Sequence, residues 1–185
     1  MVLLLPGSRV VAGENLNVQV EVIERLIQVP VPDVFVAVAP GIQAEQLERQ
    51  LLAKFRPVKS AQKDYLGILQ VRNVKLHLVC GALGDLVENA DVILSQAGTA
   101  TQQAVGLGKP VVTFNRPDNR PKRMADEQAL MNEGRILAMP DPAKLAQIVD
   151  RLLHDPAERE RRGAIGRQRM GGSGVLNAIL EEVGN

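Results

Sequence analysis

The chain has 185 residues, 45% hydrophobic and 23% charged, with a formal net charge of +1. These proportions are ordinary for one globular domain, or at most two small ones, and no global field draws such a chain to nucleic acid. Aromatics are 2% and Trp is absent, so stacking platforms for single-stranded nucleic acid are lacking. The single cysteine, Cys80, excludes an internal disulfide and any zinc-type cysteine spacing, and a cytoplasmic setting fits. Met1–Leu5 is too short for a signal-peptide core and lacks a basic flank. No apolar run approaches the roughly 20 residues of a membrane span.

Val2–Leu5 is wholly apolar and is broken by Pro6-Gly7-Ser8-Arg9, as a strand buried on both faces would be. From Glu14 to Val29 the apolar residues Leu16, Val20, Ile23 and Ile27 fall at helical spacing. Val34–Val38 predicts a strand, and Gln43–Ala53 a helix with Leu47 and Leu51 on one face. Lys54–Lys63 is basic and irregular; Leu66–Leu69 is a weak strand and Val74–Val79 a clear one. Leu83–Ala90 predicts a short helix, then Val92–Leu94 a strand, Thr99–Leu107 a helix and Val111–Phe114 a strand. A polar loop, Asn115–Lys122, precedes a helix over Ala125–Asn132 and a strand over Ile136–Met139. Asp141-Pro142 and Asp155-Pro156 each start a helix, with an acceptor at the N-cap and proline at N1. Gly171–Gly174 separates these from a last helix, Val175–Val183. Strands alternate with helices nearly throughout. The expected fold is α/β, a Rossmann-like open parallel sheet with helices on both faces. Residues 1–185 make one domain, with 156–185 as a C-terminal helical extension.

The most informative stretch is Leu94–Pro110, a strand end, a glycine-containing turn and a helix closed by Gly108-Lys109-Pro110. Gly98, Thr99 and Ala100 would stand at that helix's N-terminus, where unpaired N–H groups and the helix dipole favour an anion. A simple helix cap by Ser95 or Thr99 accounts for the same residues. Pro110 after Gly-Lys excludes a Walker A loop, and no Gly-x-Gly-x-x-Gly fingerprint is present. In the first turn, Gly7 permits close backbone approach, Ser8 offers a hydroxyl and Arg9 a planar cation suited to phosphate. A plain βα turn with a surface arginine is the alternative.

Leu5-Pro6-Gly7-Ser8-Arg9, Ala97-Gly98-Thr99-Ala100-Thr101 with Gly108-Lys109-Pro110, and Arg169-Met170-Gly171-Gly172 together resemble lipid-A-disaccharide synthase and, more closely, its cyanobacterial-type related proteins. These are GT-B glycosyltransferases, in which two Rossmann-like domains face each other and the C-terminal one binds the nucleotide-sugar donor. The resemblance implies a single domain of the GT-B C-terminal type. It implies that Gly7, Ser8 and Arg9 meet the diphosphate region, and that Gly98, Thr99, Ala100 and Thr101 serve the phosphates. Related enzymes commonly hold the ribose with a glutamate where this chain has Gln103; the amide forfeits the charge-assisted bond. Ala125-Asp126-Glu127-Gln128 resembles a family segment facing the sugar, which carries Gln128 over.

The resemblance implies a UDP-sugar, of the UDP-N-acetylglucosamine type, as ligand and a lipid-type acceptor, with no cofactor and no metal. It assigns no catalytic residue here, because the general base and acceptor surface belong to the other domain. The expected partner is an acceptor-domain protein or a second copy of the chain. A non-catalytic nucleotide-sugar binder, or degenerate remnant, and a UDP-sugar epimerase-like domain are the alternative readings. His77 and His154 read as structural residues. Arg116, Arg120, Lys122 and Arg123 read as a solvated loop, or as a diphosphate or anionic-lipid contact. Arg159, Arg161, Arg162, Arg167 and Arg169 alternate with Glu158 and Glu160; they read as an exposed, self-paired helix or as a peripheral contact with an inner-membrane surface.

Overall fold

The computed structural model describes residues 1–8, 10–26, 32–60, 62–171 and 180–183. One eight-stranded sheet runs in the order β3-β4-β5-β2-β1-β6-β7-β8. Its parallel part comprises β1 (Val2–Leu5), β2 (Val34–Ala37), β5 (Val74–Val79), β6 (Val92–Ser95), β7 (Val111–Phe114) and β8 (Arg135–Ala138). In space these stand as the third, second, first, fourth, fifth and sixth parallel strands of the chain, the doubly-wound order of a Rossmann fold. The central strands β1 and β6 are buried along their whole length, which is why Val2–Leu5 and Val92–Leu94 read as unbroken apolar runs.

The sheet is not parallel throughout. β4 (Tyr65–Val71) and β5 form an antiparallel hairpin, and β3 (Lys54–Pro57) adds antiparallel to β4 at the edge. β3 lies inside the stretch expected to be irregular. Its Lys-Phe-Arg-Pro sequence holds only one apolar residue, and lysine with proline is how an edge strand is kept from pairing further.

Helices cover both faces. On one side α1 (Ala12–Ile23), α2 (Ala44–Gln50) and α6 (Pro142–His154) enclose a core containing Leu4, Leu16, Leu47, Leu76, Leu94 and Leu145. On the other, α3 (Leu83–Asn89) and α4 (Thr99–Gly106) pack on Leu3, Leu5, Ile93 and Val111. α5 (Pro121–Met131) begins within the segment read as loop, because Pro121 stands at N1 and starts the helix. Both Asp-Pro starts hold: Asp141 accepts from the amides of Ala143 (2.9 Å) and Lys144 (3.3 Å), and Asp155 accepts from Glu158 N at 2.9 Å. Most of the expected last helix, Val175–Val183, lies outside the described residues.

The arginines of α7 (Pro156–Met170) bind the chain itself. Arg159 donates to the carbonyls of Leu152 and Leu153 at the end of α6, and Arg169 to those of Ala129 and Leu130 on α5. Arg161 and Arg162 both grip Glu158 at 2.7 Å, and Arg167 pairs with Glu160. Lys109 donates to the carbonyls of Glu88 and Ala90, capping α3 with a cation where its dipole is negative.

The hydrogen bond from Arg161, with Arg162 beside it, holds the Glu158 carboxyl down at about 2. A lowered carboxyl pKa adds stability above the unfolded value, and that increment vanishes as pH falls through the folded one. The stability difference between the native chain and Glu158→Gln is therefore expected to be constant at neutral pH. It should shrink between about 4.5 and about 2. Urea midpoints across that range check this, and a gap that widens in acid would contradict it.

Candidate functional site: a cleft at the switch point of the sheet

The chain leaves β1 toward one edge of the sheet and later returns to place β6 on the other side of β1. The two loops that diverge there open a crevice at the carboxyl ends of the strands, where open α/β sheets bind ligands. A cleft of about 870 Å³ lies at this point. α1 holds its floor in place. Asn15 Nδ2 donates to Pro6 O (2.8 Å), and Gln19 Nε2 donates to Leu94 O (2.9 Å) and Leu5 O (3.4 Å). The buried amides of two helix residues thus tie together the ends of both central strands.

The loops nearly touch. Gly7 has φ of +95°, and a Cβ built there would lie 3.3 Å from Gln96 O, so this turn needs glycine on both counts. Gln96 Nε2 reaches across to Phe114 O (2.8 Å) and fastens the same turn to β7.

The turn into α4 is built from inside. Ser95 is fully buried; its hydroxyl meets Thr101 Oγ1 at 2.6 Å and accepts from Ala97 N at 3.1 Å. Thr101 Oγ1 also donates to Ala97 O at 2.5 Å. These hydroxyls shape the turn, while α4 itself starts at Gly98 without any side-chain cap and without an acidic residue in its first turn. Thr99 and Gly98 are exposed, and with Ala100 they line the cleft beside Gly7 and Ser8. Unpaired amides, a helix dipole and two hydroxyls therefore face one space, an arrangement suited to an anion.

The expected site residues separate into two sets. Gly7, Ser8, Gly98, Thr99 and Ala100 come together at the cleft. Arg9 lies outside the described residues. Thr101, Gln103 and Gln128 do not line the cleft. Thr101 is buried beneath the turn, with Ala104 and Val105 of the same helix face. Gln102 lines the cleft, while Gln103, one residue and about 100° further round α4, faces solvent. Gln128 serves Arg135: its Oε1 accepts from Arg135 Nε at 2.9 Å, and its Nε2 donates to the carbonyls of Asn132 and Arg135.

Arg135 is a buried cation at the cleft, a role its sequence position in a short strand does not advertise. Burial lowers its pKa, and Glu127, with which it pairs at 3.2 Å, opposes that shift. Glu127 also pairs with Arg123 at 2.8 Å, and Arg123 Nη2 lies 3.5 Å from where a Gly98 side chain would begin. Arg116 donates to Asp118 (2.9 Å), Asn15 (2.6 Å) and Glu14 (3.1 Å); the carboxylates, Asp118 first and then Glu14, raise its pKa against the effect of burial. Arg120 lines the same wall, exposed and with no partner among the described residues. The basic loop is thus partly an internal brace and partly open charge.

The cleft changes character along its length. Toward β2 and β5 it is apolar, with Ala37, Val38, Pro40, Val79 and Leu83. Its centre is the amide cradle, and its far wall is the charged start of α5. Its two carboxylates, Asp118 and Glu127, are both paired with arginine. The histidines stand apart from it. His77 Nδ1 meets the Tyr65 hydroxyl at 2.9 Å and its ring stacks on Phe35, while His154 Nδ1 meets Asp150 O at 2.9 Å. Among the described residues no helix is long and apolar enough to cross a membrane.

No protein-family model and no curated protein matches the chain. Solved structures do. The catalytic domain of cholesterol-alpha-glucosyltransferase from Helicobacter pylori is 16% identical with a TM-score of 0.60, over 91% of this chain and 96% of that one. Acinetobacter baumannii MurG is 14% identical with a TM-score of 0.63, over 99% of this chain and 51% of that one. A TarM variant from S. aureus, solved with Fondaparinux, alpha-GlcNAc-glycerol and UDP, is 15% identical with a TM-score of 0.63. That likeness covers 98% of this chain but 34% of the other, so the chain spans half of MurG and a third of TarM. At such identities the likeness is one of fold. The chain has the α/β, Rossmann-like architecture of the C-terminal domain of GT-B glycosyltransferases.

Proposed function

We propose that the chain is the donor-binding half of a glycosyltransferase, and that its cleft takes a nucleoside-diphosphate sugar. The observation that carries this is the uncapped start of α4, whose open amides face the cleft between Ser8 and the arginines of α5. The apolar end suits a flat base, the cradle a diphosphate, and the charged wall a hydroxylated sugar. TarM, of like fold, was solved with UDP, which favours uracil as the base. The resemblance of the Gly98 and Gly7 turns to lipid-A-disaccharide synthase favours UDP-N-acetylglucosamine and a lipid-type acceptor.

In this reading Gly7, Ser8, Gly98, Thr99 and Ala100 hold the diphosphate. Their amides and the α4 dipole stabilise the negative charge that develops as the sugar departs. Gln102, rather than Gln103, is the amide side chain at hand for the nucleoside. A general base must come from elsewhere, since both carboxylates lining the cleft are neutralised by arginine. An acceptor domain, on a separate chain or in a second copy, would supply it.

Calorimetry with UDP, UDP-N-acetylglucosamine, uridine and ADP tests the proposal. UDP and the nucleotide sugar should bind, uridine should bind at least tenfold more weakly, and ADP should lie between. The absence of heat with millimolar UDP would sink it. A second reading, a nucleotide-sugar binder without catalysis, is favoured by the exposed Gln103 in place of a ribose-binding carboxylate. Transfer activity on adding an acceptor domain separates the two.

A further inference from the structure

The antiparallel extension carries a charge that the cleft does not use. Residues 54–79 hold six cations (Lys54, Arg56, Lys59, Lys63, Arg72 and Lys75) against one carboxylate, Asp64, a net of +5 in a chain of net +1. Arg72 pairs with Glu24 at 3.2 Å. The other five are exposed, and none of their side chains forms an ion pair or hydrogen bond with a described residue. The contrast with α7 is sharp, because there the arginines are tied to carboxylates and helix ends.

Strand register turns three of these cations onto one face. Lys54 stands opposite Gln70, and Gln70 opposite Lys75; in the next row Arg56 faces Ile68, Ile68 faces His77, and His77 faces Phe35. The alternate residues Leu69, Leu76 and Leu78 fill the core on the other side. On the cationic side Ile68, Gln70 and His77 stay only half-buried, so no helix among the described residues seals the face. Blunting of the β3 edge accounts for Lys54 and Pro57. It does not account for Lys75, which sits two strands inward on β5.

We infer that this face is a docking surface for an anionic lipid bilayer. Long-stemmed cations around the half-buried Ile68 and Phe35 match the headgroup boundary, where stems lie in the apolar layer and charges meet phosphate. Three cations stand on the face itself, and Lys59 and Lys63 follow on the connection between β3 and β4, so the extension as a whole carries five, within the range of four to eight at which such clusters hold a membrane. The aromatic rings favour lipid over single-stranded nucleic acid. Phe35 and Tyr65 each have one ring face taken by His77, at centroid distances of 4.9 and 6.0 Å, and both stay half-buried, which makes them poor platforms for bases. This inference is independent of what the cleft binds.

Co-sedimentation of the full chain with phosphatidylcholine vesicles containing 0 or 30% phosphatidylglycerol tests it. Binding is expected only with the anionic lipid and should fall at least tenfold between 50 and 300 mM salt. Lys54→Glu with Arg56→Glu and Lys75→Glu should weaken it about 100-fold, at roughly fivefold per cation. Arg161→Gln with Arg167→Gln should leave it unchanged. Hydrogen exchange on the native chain, which needs no variant, should slow in β3–β5 when vesicles are added and not in α7. Equal binding to neutral vesicles, protection confined to α7, or a triple variant that is folded and binds undiminished would each overturn the inference. So would tighter binding to single-stranded RNA than to the anionic vesicles.

Discussion

Thr99→Glu is expected to abolish UDP binding while leaving the chain at least as stable as before. The two effects have one cause. α4 starts without an acidic residue and without a side-chain cap, so its first amides and dipole are unanswered in the unliganded chain. A carboxylate in the first turn satisfies them and stabilises a helix by about 0.3–1 kcal/mol. The same carboxylate would stand where the proposed diphosphate sits. Two unit charges about 4 Å apart near a protein surface repel by about 4 kcal/mol, and screening by the flanking arginines reduces this to at least a 100-fold loss of affinity. Thr99→Ser, which keeps the hydroxyl, should bind as the native chain does. Calorimetry and thermal melts together read both signs. A variant that melts higher and still binds UDP would mean that the phosphate lies elsewhere.

The second large effect concerns α7. Gly163→Ala is expected to cost about 2–4 kcal/mol, well beyond an ordinary surface substitution. Alanine is the better helix former by about 1 kcal/mol, so propensity alone predicts the opposite sign. Packing decides it. A Cβ at Gly163 would run into the carbonyl of Gly108, in the turn that joins α4 to β7. At Gly166 it would lie 2.6 Å from Val105 O, and at Gly134 it would lie 2.8 Å from Gly166 Cα. The obstacles are backbone atoms, which cannot rotate aside. Backing α7 away from α4 would also pull Arg159 and Arg169 from the helix ends they cap. Urea midpoints of Gly163→Ala beside Ala164→Gly would show it. A neutral or stabilising Gly163→Ala would mean that α7 can shift off the α4–β7 turn without loss, which would overturn the prediction.

Periodicity made most of the architecture readable. The limits of β5 and β7 follow from the residues themselves, and the Asp-Pro pairs start α6 and α7 as their chemistry requires. The Gly98 turn announced itself by composition. β3 escaped because an edge strand is selected to look unlike a core strand. The site was readable to the level of its turns and no finer. Gln102 and Gln103 are neighbours of one type, and nothing local says which faces the cleft. That is decided by the buried stripe of Thr101, Ala104 and Val105, which rotates α4 into place against α7 and the sheet.

The order of strands and helices, the caps and the phosphate-sized turn belong to the sequence alone, because they depend on hydrogen bonds and side-chain spacing within a few residues. The fate of the charges does not. Lys109 stands in the most telling motif yet caps α3, and Gln128 serves a buried arginine. The arginines of α7 are all tied to carboxylates or carbonyls of the chain itself, whereas the side chains of five cations in the antiparallel extension have no partner among the described residues. Which charge meets which depends on segments brought together from far along the chain, and only the tertiary structure brings them together.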